Sequence, residues 1–198
     1  ARLNRYAGNH NLKFGGEKTR LEIGDENLFR EFVTINRGTA GGGGVTTIGS
    51  NNLFMAYSHV AHDCHVGSNV IFANSGTLAG HVEVGDFATI GAFCAVHQFC
   101  RVGNHAFLGG DTIVTQDALP FVKTVGSRPA KTYGVNHIGL ERKGFAKETV
   151  EALRKAYKLL VRSHLMQAEA LARATREAVA GVNAGGDRRA PLRAGLAA

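Results

Sequence analysis

An apolar residue falls on every sixth position from residue 48 to residue 114: Ile48, Phe54, Val60, Val66, Phe72, Leu78, Val84, Ile90, Val96, Val102, Leu108 and Val114. In a chain with 44% hydrophobic residues, twelve consecutive hits at one spacing would arise by chance about once in twenty thousand trials, so the spacing is structural. A period of six fits neither a helix at 3.6 nor a lone strand at 2. It fits a chain wound into a coil of short flat segments, each step placing one large apolar side chain inside and then turning a corner. The corners keep a second period. Gly49, Gly67, Gly85 and Gly103 recur every 18 residues, each followed by Ser, Asp or Asn, which is turn chemistry. Three hexapeptides therefore complete one coil.

Four residues after each apolar position stands a small or modest one: Asn52, Ser58, Cys64, Val70, Gly76, Val82, Ala88, Cys94, Cys100, Ala106, Thr112 and Ala118. A narrow triangular core demands such filler. The register also runs earlier through Ile23, Phe29 and Ile35, and resumes at Ile48 if residues 41 to 47 are looped out. Gly41 to Gly44 lie in that insertion. No Gly-Lys-Ser/Thr follows and no strand-to-helix switch is visible, so the glycines read as an extruded flexible loop and not as a phosphate loop.

The expected organisation is a mainly β solenoid over residues 1–120, a connecting segment over 121–146, a small helical domain over 147–180 and a disordered tail over 181–198. Val150, Leu153, Tyr157, Leu160 and Val161 form the apolar stripe of a helix from Lys147 to Arg162, and a second helix is expected from about Leu165 to Ala180. The opening lacks Met and already lies in irregular chain, so the first coils of the solenoid are expected to be missing. No run of 18 apolar residues and no signal-like start occurs, which gives a cytoplasmic expectation without a membrane span. Cys64, Cys94 and Cys100 share the inward phase and lack metal spacing, so they read as buried filler. Charge is uneven. Residues 121–198 hold 15 Lys or Arg against 6 Asp or Glu, a net +9, whereas residues 1–120 hold 8 against 10, a net −2. A basic C-terminal part suits acidic proteins or phosphorylated ligands. With 8% aromatics, no Trp and no recognised motif, nucleic acid is not expected as a partner.

Wrapping the chain into 18-residue coils brings histidines to one edge. Counted from Ile48, His59 falls at step 11, His62 at 14, Asp63 and His81 at 15, and His97 at 13 of their coils. Coils stack about 4.8 Å apart, so His81 is expected over Asp63, with Gly80 and then Gln98 over His62. Three readings of this polar ladder are open: a solvated face, a metal set built on His59, His62 and His65, or an acid–base pair. Metal is disfavoured because His65 lies at another phase and no close acidic ligand set appears. For acid–base work, Asp63 would fix the tautomer of a neighbouring histidine and favour its imidazolium. No serine or cysteine stands as a nucleophile, since Cys64 points inward, and a base without a protein nucleophile suits direct transfer from an activated acyl donor to a hydroxyl or amine. Gly80 would offer an unobstructed backbone N–H to the oxyanion.

The segments "HVAHDCHVG", "TLAGHVEVGD", "AVHQFCRVG" and "YGVNHIGLERKGF" closely resemble the UDP-N-acetylglucosamine O-acyltransferases that begin lipid A synthesis in Gram-negative bacteria, over roughly residues 10 to 162. The resemblance implies a left-handed parallel β-helix with a small C-terminal helical domain, and a homotrimer with active sites between subunits. The donor it implies is an acyl carrier protein, whose phosphopantetheine bears the 3-hydroxyacyl group, with no further cofactor and no metal. It makes His62 the general base for the sugar 3-hydroxyl, Asp63 its partner and Gly80 the oxyanion donor. His59, His81, His97 and Gln98 would shape the acyl and sugar sites, and Gly110 would limit acyl length, leaving room for a longer chain. Lys13 and Asn11 would meet the sugar; Asn136, Arg142 and Lys143 would meet the nucleotide and its phosphates. Asn11, Ile138 and Lys143 replace the family's usual Asp, Glu and Arg; the neutral amide of Asn11 leaves a 3-hydroxyl or a 3-amino acceptor open, Ile138 removes an acid near the uridine, and Lys143 loses bidentate geometry toward phosphate. The alternatives are the pathway's N-acyltransferase of UDP-3-O-acylglucosamine, another hexapeptide acyltransferase, or a binding or metal-holding trimeric solenoid.

Overall fold

A computed structural model of the chain describes residues 18–163, 166 and 168–176. It divides into two compact units, Ala1–Tyr133 and Gly134–Ala198. The first is a β-solenoid of three sheets whose coil strands pair in parallel. One sheet stacks Arg20–Ile23, Val45–Ile48, His65–Val66, Glu83–Val84 and Arg101–Val102. The second runs Leu28–Phe29, Leu53–Phe54, Ile71–Phe72, Thr89–Ile90 and Phe107–Leu108, then adds Val122–Val125 and Lys131–Val135. The third holds Thr34–Ile35, His59–Val60, Thr77–Leu78, Ala95–Val96 and Ile113–Val114.

Each two-residue strand points one side chain in and one out, and the inward one is the six-residue apolar position. All twelve are at most 4% exposed, and Phe54, Val60, Phe72, Leu78, Ile90 and Leu108 are fully buried. Burial of each such side chain stabilises the fold by about 1.5–3 kcal/mol. Phe29, Phe54 and Phe72 stack with centroids 5.0 and 4.7 Å apart, so one aromatic column runs up the core. The small column is inside as expected, including polar members with partners. Asn52 donates from Nδ2 to the Gly67 carbonyl at 3.0 Å and accepts from the Val70 amide at 2.6 Å. Cys64, Cys94 and Cys100 are free and buried.

Ten successive corners each carry one residue in the left-handed region. Tyr57, Asp63, Asn69, Ser75, His81, Phe87, Phe93, Phe99, His105 and Asp111 follow one another at six-residue intervals with φ between 56° and 66°. Three of these residues, Tyr57, Phe93 and Phe99, are at least 60% exposed, whereas Asp63 is buried. The column at the corner between the third and first sheets contains Asp63, His81 and Phe99.

One expectation is corrected here. Ile23 pairs with Ile48, which confirms seven extra residues, but Arg20 pairs with Val45, so residues 45–47 belong to a strand. The apolar phase counts the extra residues without saying which they are. The excursion is 38–44. Its neck closes on Arg20, whose carbonyl accepts from the Gly38 amide at 2.9 Å and whose amide donates to the Gly44 carbonyl at 2.8 Å. A 3₁₀ turn, Ala40–Gly42, forms its tip.

The second unit contains the helices His137–Arg142 and Lys147–Tyr157, a wider π-type turn at Lys158–Arg162, and helical residues 168–176. Leu140, Val150, Tyr157, Ala170 and Ala174 are buried. The expected stripe holds only as far as Tyr157. Leu160 and Val161 are 45% and 39% exposed, because the π-type turn adds residues per revolution and rotates them off the buried side. Residues 177–198 lie outside the described residues.

Candidate active site

The stacking worked out from the 18-residue coil is present. The His81 amide donates to the His62 carbonyl at 3.0 Å, which seats His81 one coil above Asp63 and Gly80 above His62. The Phe99 amide donates to the Gly80 carbonyl at 3.2 Å, which continues the stack so that Gln98 follows Gly80. Two imidazoles and one carboxylate therefore share a corner.

Asp63 is the centre of this group. Its side chain is wholly buried, while those of His62 and His81 are 29% and 27% exposed. His62 Nδ1 lies 2.8 Å from Asp63 Oδ2 and His81 Nε2 lies 3.9 Å from the same oxygen. The two rings meet edge to face at 5.2 Å between centroids. A carboxylate at Nδ1 makes that nitrogen the donor and leaves Nε2 as the basic one. The Asp63 backbone is fixed as well, its amide donating to Thr46 Oγ1 at 2.8 Å.

Sequence reasoning missed a second set of partners. The Thr39 amide donates to Asp63 Oδ1 at 2.8 Å and the Thr39 hydroxyl to Oδ2 at 2.6 Å. Burial pushes the Asp63 carboxyl up, but the hydroxyl and amide of Thr39, then His62 and the charge of His81, outweigh it and hold the group below its usual range. Asp63 is thus a buried anion with its partners around it. The glycine run expected to be a free loop packs here: a Cβ on Gly42 would lie 2.2 Å from Asp63 Cγ. The available signal was the break of register itself.

Gly80 faces the His62 ring. A Cβ there would lie 2.7 Å from Cε1, 2.9 Å from Nε2 and 3.2 Å from Nδ1 of His62. Among the described residues its amide has no hydrogen-bond partner. The corner therefore sets the Gly80 backbone directly against the His62 ring.

The remaining residues scatter. His59 sits in the third sheet with Nδ1 2.7 Å from Thr34 Oγ1, and burial lowers its basicity. His97 and Gln98 are exposed, His97 Nδ1 lying 3.2 Å from the Gln98 carbonyl. Gly110 is exposed, and a Cβ there would reach only the Ala92 carbonyl at 3.5 Å. In the second unit Asn136 caps the helix His137–Arg142, accepting from the Gly139 amide at 3.3 Å, while Arg142 and Lys143 are exposed at its end. Asn11 and Lys13 lie outside the described residues. The three cysteines do not supply a nucleophile. Burial pushes the Cys64 thiol up to about 11, and its Sγ–H is directed to the Ala79 carbonyl at 3.1 Å.

His62, Asp63 and His81 also offer three donor atoms within 4.8 Å of one another, close enough to hold a metal ion. Asp63 Oδ2, the shared vertex, is already engaged by the Thr39 hydroxyl and His62. The arrangement has the bonding of an oriented acid–base pair.

Known proteins share this fold. A family profile described as UDP-N-acetylglucosamine O-acyltransferase, domain 2, matches residues 117–186, and one described as bacterial transferase hexapeptide (six repeats) matches residues 46–80. The acyl-[acyl-carrier-protein]–UDP-N-acetylglucosamine O-acyltransferase of Stenotrophomonas maltophilia strain K279a is 48% identical over 166 residues, 84% of this chain and 63% of that protein. The chain thus spans somewhat less than two thirds of this curated relative. The solved structure of LpxA from Acinetobacter baumannii superposes with a TM-score of 0.82 at 40% identity, covering 89% of this chain and 68% of that one. UDP-N-acetylglucosamine O-acyltransferase from Moraxella catarrhalis does so with a TM-score of 0.82 at 42% identity, covering 89% and 67%. With its hexapeptide solenoid and its identity to these proteins over most of their lengths, the chain belongs to the UDP-N-acetylglucosamine O-acyltransferase family.

Proposed function

We propose that this chain carries the site that transfers a 3-hydroxyacyl group from an acyl carrier protein to the 3-position of UDP-N-acetylglucosamine, the first step of lipid A synthesis. One observation carries the reading: a buried, ionised Asp63 bonded to Nδ1 of a partly exposed His62, whose Nε2 faces the open backbone of Gly80. The relatives' names supply the substrates.

In the mechanism, His62 Nε2 takes the proton of the sugar 3-hydroxyl as its oxygen bonds to the thioester carbonyl carbon. The electron pair moved onto the carbonyl oxygen is met by the Gly80 N–H. Collapse breaks the C–S bond, and the departing sulfur takes the proton back from His62. Asp63 holds the imidazolium through both steps without itself being protonated. No protein nucleophile is used, in keeping with the neutral, buried Cys64. The donor brings its own phosphopantetheine, and we assign no other cofactor. His59, His81, His97 and Gln98 are assigned to the walls of the acyl and sugar sites, and Gly110 to the end of the acyl site. Lys13 and Asn11 are assigned to the sugar, and Asn136, Arg142 and Lys143 to the nucleotide. The basic residues of 121–198 suit recruitment of the acidic carrier protein by a homotrimer in the cytoplasm. No helix among the described residues is long and apolar enough to cross a membrane.

The test is acyl transfer from 3-hydroxyacyl carrier proteins of graded length to UDP-N-acetylglucosamine and to its 3-amino analogue, read by mass spectrometry. The expected result is a 3-acylated product, lost in His62→Ala by about 10²–10⁴-fold. No product with either acceptor from folded protein, or a His62→Ala rate within a few-fold of the parent, overturns the reading.

A further inference from the structure

Between Ile23 and Val114 the six-residue register breaks once, and the break lies against Asp63. The excursion 38–44 is closed at its neck by two hydrogen bonds to Arg20 and folded internally by two more, from the Gly42 and Gly44 amides to the Thr39 carbonyl at 3.1 and 2.8 Å. It is therefore a shaped element. What it delivers is one residue with two donors, spaced to meet both oxygens of a single carboxylate.

We propose that Thr39 is a positioning residue for acyl transfer: its amide and hydroxyl clamp Asp63 Oδ1 and Oδ2, fixing the carboxylate plane so that Oδ2 stays on His62 Nδ1, while Gly42 keeps the seat clear. The proposal rests on the reading of His62 as the base. A carboxylate held by one imidazole alone can turn about its Cβ–Cγ bond and release that contact. With one donor on each oxygen, such a turn breaks two further hydrogen bonds to an ion, each stronger than a neutral one. Gly42 completes the device, since its hypothetical Cβ at 2.2 Å from Asp63 Cγ shows that any side chain there displaces the carboxylate or the loop. The same donors keep Asp63 ionised although it is buried, which the imidazolium requires of its partner.

Thr39→Val removes the hydroxyl and keeps the amide and shape; Thr39→Ser restores the hydroxyl; Gly42→Ala pushes on the seat. In Thr39→Val, kcat for acyl transfer is expected to fall about tenfold or more with KM for the sugar within about twofold, and Thr39→Ser to recover most of it. A second readout needs no substrate. In protein carrying ¹³C-labelled aspartate, the Asp63 carboxyl should titrate at higher pH in Thr39→Val and Gly42→Ala than in the parent and Thr39→Ser. The hydrogen-bonded Nδ1 proton of His62 should weaken in parallel. An unchanged Asp63 titration in folded Thr39→Val, or Thr39→Ser as impaired as Thr39→Val, overturns the proposal. If Thr39→Val does not fold, Gly42→Ala with parental titration and turnover overturns it. A parent that transfers no acyl group, with the Asp63 titration still moved by Thr39→Val, would instead refute the acyltransferase reading and leave the clamp standing.

Discussion

Gly80→Ala puts the smallest possible side chain where the structure leaves none. The backbone there lies outside the left-handed region, so alanine brings no conformational strain of its own. Its Cβ would start 2.7 Å from His62 Cε1, whereas ordinary contact begins at 3.4 Å, so the ring must withdraw by about 0.7 Å. The His62 Nδ1 to Asp63 Oδ2 distance is 2.8 Å, and a hydrogen bond is lost beyond about 3.2 Å, so a shift of that size exceeds the slack. Misplacement of a reacting group by about 1 Å costs roughly 10²-fold, or about 2.7 kcal/mol in the barrier. Stability should hardly move, because the His62 side chain is 29% exposed and can swing outward. The assay is steady-state acyl transfer with the melting temperature measured alongside, for Gly80→Ala, His62→Ala and the double variant. The expected result is a kcat loss of about 10² in Gly80→Ala and no further loss when it is added to His62→Ala, since the ring it displaces is gone. A full additional 10² in the double variant would refute the steric reasoning and place the whole effect on the Gly80 N–H.

Two further outcomes follow from burial. Cys64, its thiol pushed up to about 11, should resist iodoacetamide at pH 8 in the native protein and react only after denaturation, as read by mass spectrometry; rapid native labelling would contradict its packing. His59 has its basicity lowered by desolvation in the folded state, so below about pH 6.5 the unfolded chain binds the extra proton and stability falls as pH drops toward the lower folded value. His59→Gln should flatten the urea-midpoint profile between pH 7 and 5, and an unchanged slope would contradict the assignment.

The solenoid was legible because its core is written in one dimension. A period of six fixes which side chains point inward, and the 18-residue coil then fixes which residues stack, so the pairing of His81 over Asp63 could be computed without coordinates. Two things were not legible, for the same reason. The apolar phase reported seven surplus residues but placed them at 41–47, because only inter-strand hydrogen bonds tell Val45 in a strand from Gly41 in a loop. The partner of Asp63 on its lower side came from that surplus, where no period applies, so Thr39 had no signature. In the second unit the helical stripe failed at Leu160 and Val161 because a π-type turn changes the period within one helix. The cap made by Asn136 gives a structural task to a residue read only as a nucleotide contact.

The position of the register break follows from the geometry of stacking. Equivalent positions in successive coils lie about 4.8 Å apart, so a stacked side chain hydrogen bonds its neighbour only by leaning across the gap, as Thr47 Oγ1 and His65 Nδ1 do at 2.8 Å. His81, in the regular stack over Asp63, stops at 3.9 Å from Oδ2. His62 reaches 2.8 Å because it is the neighbour of Asp63 in its own coil. Below Asp63, the position one coil earlier is Val45, whose side chain has no hydrogen-bond donor to offer the buried carboxylate. A short excursion with a closed neck can instead approach from the side. It brings an amide to 2.8 Å of one carboxylate oxygen and a hydroxyl to 2.6 Å of the other. The repeat can itself bring an amide to a carboxylate, as Ser68 does to the exposed Asp86 Oδ1 at 2.7 Å, but at the buried Asp63 the donors on both oxygens come from Thr39 in the excursion 38–44.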